Sequence, residues 1–185
     1  IISPVLANDA NTTLLHIDFS FCKPELGGSA FFQSLNRVGK CAPTVNDPEY
    51  FRNAFNAVQK LIKEGIVLSG HDVSAGGLVT CLLEMCFANK EGGLDISLDG
   101  FAENDTVKIL FAENPSVVLQ IADNNLKQAE AVLKESDVQY TNLGKPTAAR
   151  KLNIVKDGST TAFDIDAMRN AWYETSYELD TKQSF

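Results

Sequence analysis

The stretch GIVLSGHDVSAGGLVTCLLEM, residues 65–85, changes its hydrophobic period halfway along, and that change decides the class of the fold. Its first six residues, GIVLSG, are apolar and read as a short strand over 65–70. From Leu78 onward, Leu78, Leu82 and Met85 recur at helical spacing to about Asn89. Between the two, HDVSAGG sets a histidine, a carboxylate, a hydroxyl and two adjacent glycines on a strand-to-helix turn.

Working outward from this turn, strands and helices keep alternating. TTLLHIDFS (12–20) reads as a strand, with His16 inside it as a structural side chain. GGSAFFQSLNRVG (27–39) is bounded by glycines and predicts a short helix. NDPEYFRNAFNAVQKLIKEG (46–65) carries every helix signal: Asp47 as N-cap, Pro48 at the first helical position, Glu49 in the first turn and Gly65 as the stop. Its spacing puts Phe51, Phe55, Val58 and Ile62 on one face. GLDISL (93–98) alternates as a strand, NDTVKILFAE (104–113) reads as a short helix, and PSVVLQIAD (115–123) as an apolar central strand. NNLKQAEAVLKES (124–136) predicts an exposed helix and VQYTNLGKP (138–146) a strand. LNIVKDGSTTAFDI (152–165) predicts a hairpin reversing at Asp157-Gly158, and DAMRNAWYETSYELDTKQ (166–183) a last helix. Alternation in the first two thirds followed by a late hairpin predicts an α+β fold, a mixed β-sheet with flanking helices in α/β/α layers, over a purely parallel doubly wound sheet. The expected division is one domain over 1–165 and a C-terminal helix over 166–185.

Composition narrows the function. At 185 residues, 44% hydrophobic and 22% charged, the chain has ordinary globular composition and length for one respectable core. No apolar run approaches the roughly 18 residues of a membrane span, and IISPVLANDA offers no basic leader, so a soluble, cytoplasmic chain is expected. With 16 basic against 24 acidic residues the net charge is -8, a field that repels a nucleic-acid backbone. Cys22, Cys41, Cys81 and Cys86 form no CxxC pair, which argues against structural zinc and for free thiols, Cys81 and Cys86 within an apolar helical stretch.

The turn itself suggests an anion seat. A helix mouth carries unpaired N–H groups and a partial positive charge, and Gly76 and Gly77 keep side chains away from that backbone. Asp72 supplies a hard oxygen of the kind Mg²⁺ takes, and Ser74 a hydroxyl able to cap the helix or meet a phosphate oxygen. A purely structural reading stands beside this one: Asp72 and Ser74 satisfy the first N–H groups of the helix, and His71 is a hydrogen-bonded residue at a strand end. The pattern is neither a Walker A loop nor GxGxxG.

HDVSAGGL followed by LLEMCFA resembles the signature of the C-terminal domain of the aminoimidazole ribonucleotide synthetase-like superfamily. More narrowly, ELGGSAFFQ (25–33), DPEYFRNAFNAVQKLIKEGIVLSGHD (47–72) and MRNAWYETSYELDTKQ (168–183) are similar to the phosphoribosylformylglycinamidine synthase family. Where relatives commonly read HDxSDGG, Ala75 stands here between Ser74 and Gly76, which removes one carboxylate. The resemblance implies an ATP- and glutamine-dependent ligase that turns formylglycinamide ribonucleotide into formylglycinamidine ribonucleotide, with Mg²⁺ and ATP (ADP) as cofactors. It implies Asp72 as a Mg²⁺ ligand and Ser74 as a nucleotide or phosphate contact; Gly76 and Gly77 join them from the helix-mouth argument. His71, and Gly27 and Gly28 of LGGSA, are weaker candidates, structural turn glycines being the better reading of the last two. The implied partners are an N-terminal AIR synthase-like half and a glutaminase domain of the same full-length chain, towards which the tail helix leads, and the 185 residues by themselves are expected to have no ligase activity. The alternatives are another superfamily member, such as aminoimidazole ribonucleotide synthetase, a selenophosphate synthetase or a hydrogenase-maturation protein, and a non-catalytic scaffold keeping a structural nucleotide.

Overall fold

The structure, a computed structural model, describes residues 1–183, so the last two residues of the expected C-terminal segment lie outside it. Its described elements run β1 (Thr12–Asp18), α1 (Ala30–Ser34), α2 (Pro48–Lys63), β2 (Val67–Val73), α3 (Gly77–Phe87), β3 (Gly93–Ser97), α4 (Thr106–Phe111), β4 (Ser116–Ala122), α5 (Leu126–Glu135), β5 (Tyr140–Thr147), β6 (Lys151–Lys156), β7 (Ser159–Asp164) and α6 (Ile165–Gln183). The seven strands form one mixed sheet in the order β2-β4-β1-β5-β3-β6-β7. Among the described strands, β3 and β6 are the one parallel pair.

Two apolar layers sandwich this sheet, giving the expected α/β/α arrangement. One side packs Leu14, Val118, Leu94, Ile96, Leu152 and Ile154 against α3, α4 and the start of α6. The other packs Leu15, Ile17, Leu119 and Ile121 against α2 and α5. Strand β1 lies between β4 and β5 with both faces covered, which is why LLHID is so apolar; Leu14, Leu15 and Ile17 are fully buried. Each such side chain contributes roughly 1.5 to 3 kcal/mol on leaving water. Gln120 sits among the apolar residues of β4 and is also fully buried, at no cost in unpaired groups. Its Oε1 accepts from the Ser69 hydroxyl (2.8 Å) and the Ala7 N–H (2.9 Å), while Nε2 donates to Thr12 Oγ1 (2.7 Å) and the Ala7 carbonyl (2.8 Å).

Three local expectations are revised. The helix predicted over 27–39 is confined to 30–34, because Asn36 turns to φ 54 and Gly39 to φ 79. Of the predicted α2 face, Val58 is buried and Phe51 and Ile62 pack against the core, but the buried stripe is centred on Tyr50, Ala54, Ala57, Val58 and Leu61, and Phe55 is 47% exposed, since that stripe follows the small residues that let α2 lie close to the sheet. Strand β2 does not stop at Gly70 but runs on to Val73, because β4 continues to pair with it as far as Val73↔Ser116. Helix α6 starts from the core, with Ile165 buried and Met168 packed on it, and runs along α3, where the Trp172 ring lies 5.6 Å from that of Phe87; Trp172, Tyr173, Tyr177 and Leu179 are all more than half exposed. No helix among the described residues is long and apolar enough to cross a membrane.

Candidate functional site

The extension of β2 moves His71 and Asp72 off the turn and onto the edge of the sheet. Strand alternation then sends their side chains to opposite faces. The Asp72 side chain is 73% exposed. His71 turns towards α3, where Nδ1–H donates to the Asp72 carbonyl (2.8 Å) and Nε2 lies 3.5 Å from Glu84 Oε2. The other oxygen of Glu84 accepts from the Trp172 indole N–H at 3.1 Å. One carboxylate on α3 thus bonds the tail helix through Trp172 and lies beside the His71 ring of the HD motif.

Past the strand, the chain reverses in a turn closed by the Gly77 N–H donating to the Ser74 carbonyl (3.0 Å). Ser74 is exposed, and its hydroxyl does not cap α3. The cap residue is Gly76, in the left-handed region at φ 88, followed by Gly77 at φ 76. Both positions demand glycine for packing as well. A Cβ on Gly76 would collide with Thr80 Oγ1, and one on Gly77 would lie 2.6 Å from the Leu110 carbonyl oxygen, at the end of α4.

The helix-mouth argument expected free amides at Gly76 and Gly77, and here the structure corrects it. Besides the Gly77 bond just described, the Gly76 N–H donates to Glu113 Oε1 at 2.9 Å. The same oxygen accepts from the Ala30 N–H at 2.8 Å. Glu113 therefore brings the two glycine pairs into one neighbourhood, since Ala30 directly follows the LGGS turn. In that turn the Gly27 N–H donates to the Cys41 carbonyl and the Gly28 N–H to the Val38 carbonyl, each at 2.7 Å. A Cβ on Gly27 would collide with the Cys41 carbonyl oxygen, whereas Gly28 has open space and favours glycine for its φ of 75. The exposed polar groups of the motif are thus the Asp72 carboxylate and the Ser74 hydroxyl. A single exposed carboxylate suits Mg²⁺, which usually takes one or two carboxylates and completes its shell with water and phosphate oxygens. Among the described residues no group of three or more His, Cys, Asp or Glu is placed to hold a metal.

A cleft of about 890 Å³ opens beside this turn, lined among others by His16, Asp18, Val73, Leu78, Phe101 and Tyr140. The register places His71, Val118, His16 and Thr141 in one row across four strands, so the two histidines share a face of the sheet. The His16 ring lies 5.2 Å from that of Phe101. Burial drives its pKa down to about 4 against the opposing pull of Asp18, so His16 is neutral at pH 7. Burial likewise pushes the Cys86 thiol up to about 12 and Cys81 higher still, so neither is a thiolate nucleophile. Sequence reasoning missed the cleft, Glu84 and Glu113. The alternation of β1 could have put His16 on the face opposite Leu15 and Ile17, but no local pattern marks Glu113.

A mixed sheet between two helical layers, with a strand-turn-helix HD motif at its edge, defines the class. The family described as AIR synthase related protein, C-terminal domain, matches residues 19–157, and the chain belongs to it. It is 37% identical over 172 residues to the probable phosphoribosylformylglycinamidine synthase, chloroplastic/mitochondrial, of Arabidopsis thaliana, and 34% identical over 175 residues to the phosphoribosylformylglycinamidine synthase of Homo sapiens. Each match covers 92% of this chain but only 12% and 13% of those proteins, so the chain spans about an eighth of the relatives it matches. Among solved structures, Thermotoga maritima PurL complexed with ATP shares the fold, with a TM-score of 0.69 at 12% identity over 91% of this chain and 27% of that one.

Proposed function

We propose that the chain is the AIR synthase-related C-terminal portion of a phosphoribosylformylglycinamidine synthase, and that it contributes a Mg-nucleotide contact to that ligase. The observation that carries this reading is the 34 to 37% identity to two such synthases across 92% of the chain. The whole enzyme would join glutamine-derived nitrogen to formylglycinamide ribonucleotide at the expense of ATP, with an N-terminal half and a glutaminase domain as partners in one chain. Asp72 would take Mg²⁺ and Ser74 a phosphate oxygen of ATP or ADP; the ATP in the Thermotoga maritima neighbour supports that choice of ligand. Phosphoryl transfer asks chiefly for positioning and charge neutralisation, and bound Mg²⁺ would supply the latter. An exposed carboxylate and hydroxyl on a rigid strand end fit that task.

Titration of the chain with Mg-ADP tests the reading. The expected outcome is binding that weakens roughly tenfold in Asp72→Asn, as loss of a charged ligand contact implies, and less in Ser74→Ala. Binding indifferent to both substitutions would remove these residues from the site. A second reading, a scaffold domain, has its own support: every glycine amide of the two turns is already engaged within the protein.

A further inference from the structure

Glu113 belongs to no motif, yet one of its oxygens accepts from two backbone N–H groups, those of Ala30 and Gly76, which lie 83 and 37 residues away in sequence. We infer that Glu113 is the resident anion of the α3 mouth, a positioning residue that clamps the 27–30 turn to the 74–77 turn and leaves Asp72 and Ser74 as the groups that face a ligand. The last clause rests on the nucleotide reading above; the clamp itself does not.

Three features hold the carboxylate in place. The end of α4 lies against the start of α3, because Gly77 has no side chain to keep Leu110 and Phe111 away. Phe111 stacks on Phe31 of α1, ring centroids 4.4 Å apart, which brings the Ala30 N–H to the same spot. Asn114, the next residue, donates to Ser20 Oγ and to the carbonyls of Cys22 and Lys23, anchoring the segment on its far side. A helix mouth favours negative charge, and charge-assisted hydrogen bonds are about twice as strong as neutral ones, so a carboxylate is a stable occupant there. A phosphate approaching the Gly76 amide would meet this carboxylate as a like charge at hydrogen-bonding distance.

Amide hydrogen exchange, followed residue by residue by NMR on this chain, tests the clamp. In Glu113→Ala the amides of Ala30 and Gly76 are expected to exchange roughly tenfold faster together, while the Ile109 amide, bonded to the Asp105 carbonyl within α4, keeps its rate. Glu113→Gln retains an uncharged acceptor and is expected to fall between wild type and alanine. Should Glu113→Ala fail to fold, the glutamine variant decides alone, by whether both amides lose protection in step. Adding Mg-ADP to the wild type is expected to shift the resonances of Asp72 and Ser74 and to leave the protection of Ala30 and Gly76 as it was. Unequal or null responses of the two amides to the substitutions would overturn the clamp, and so would loss of Gly76 protection when Mg-ADP binds the wild type. Mg-ADP that moves no resonance would sink the nucleotide reading instead, with the clamp still judged by the coupled exchange.

Discussion

Helices α2 and α3 begin in opposite ways. At α2, Asp47 Oδ1 accepts from the N–H groups of Glu49 (2.9 Å) and Tyr50 (3.1 Å), and Pro48 has no N–H to satisfy. Asp105 does the same for α4. At α3 no side chain of the preceding turn caps anything; a left-handed glycine enters the helix, and the carboxylate arrives from Glu113, 37 residues away. The electrostatic demand is the same at both mouths, negative charge against unpaired N–H groups. Local supply caps α2 from within its own first turn, whereas remote supply makes the start of α3 a junction of α1, α3 and α4.

This contrast can be broken by substitution. The largest effect is expected at Gly77→Ala, where a left-handed φ of 76 and a Cβ 2.6 Å from the Leu110 carbonyl oxygen combine to a loss of roughly 3 kcal/mol in urea unfolding. A loss under about 1 kcal/mol would show that the junction is loose. Acid unfolding, the obvious probe of carboxylates at both mouths, is expected to carry a contribution from His16 as well. Its folded pKa, about 4, lies below the ordinary 6.5, so its neutral form stabilises the fold above pH 6.5 and that stability is lost as pH falls towards 4. The loss amounts to at most roughly 3 kcal/mol. His16→Gln should flatten the stability profile over that window, and an unchanged profile would return the acid response to the carboxylates.

Smaller effects separate the two mouths directly. Asp47→Ala is expected to cost about 1 kcal/mol, the usual worth of an N-cap, measured by thermal or urea unfolding. Ser74→Ala, at the corresponding place before α3, is expected to stay within about 0.5 kcal/mol of wild type, because the hydroxyl caps nothing. If the two costs were exchanged, the assignment of local and remote caps would be reversed.

The same distinction explains what could be read from the residues in order. Helix α2 was legible to within a residue or two, since Asp47, Pro48 and Gly65 act on N–H and carbonyl groups within one turn of themselves. The Asp157-Gly158 reversal was legible for the same reason, with both residues at positive φ joining β6 to β7. The end of β2 was not, because Ser116 of β4 holds Val73 in the sheet. In the candidate site, Asp72 and Ser74 stand exposed, while the amides of Gly76 and Gly77, which the helix-mouth argument expects to be free, are bonded within the protein. The glycine pair makes a left-handed entry to a helix, and what fills that entry lies beyond any window of sequence.

By itself, then, the sequence determined the run of strands and helices, the cap of α2, and the α+β class, since each depends on contacts a few residues long. The tertiary structure alone decided the strand order, the row that sets His71 and His16 on one face, and the choice of Glu113 as the anion at the mouth of α3. Those depend on hydrogen bonds and packing between residues tens of positions apart, which no local stretch of sequence contains.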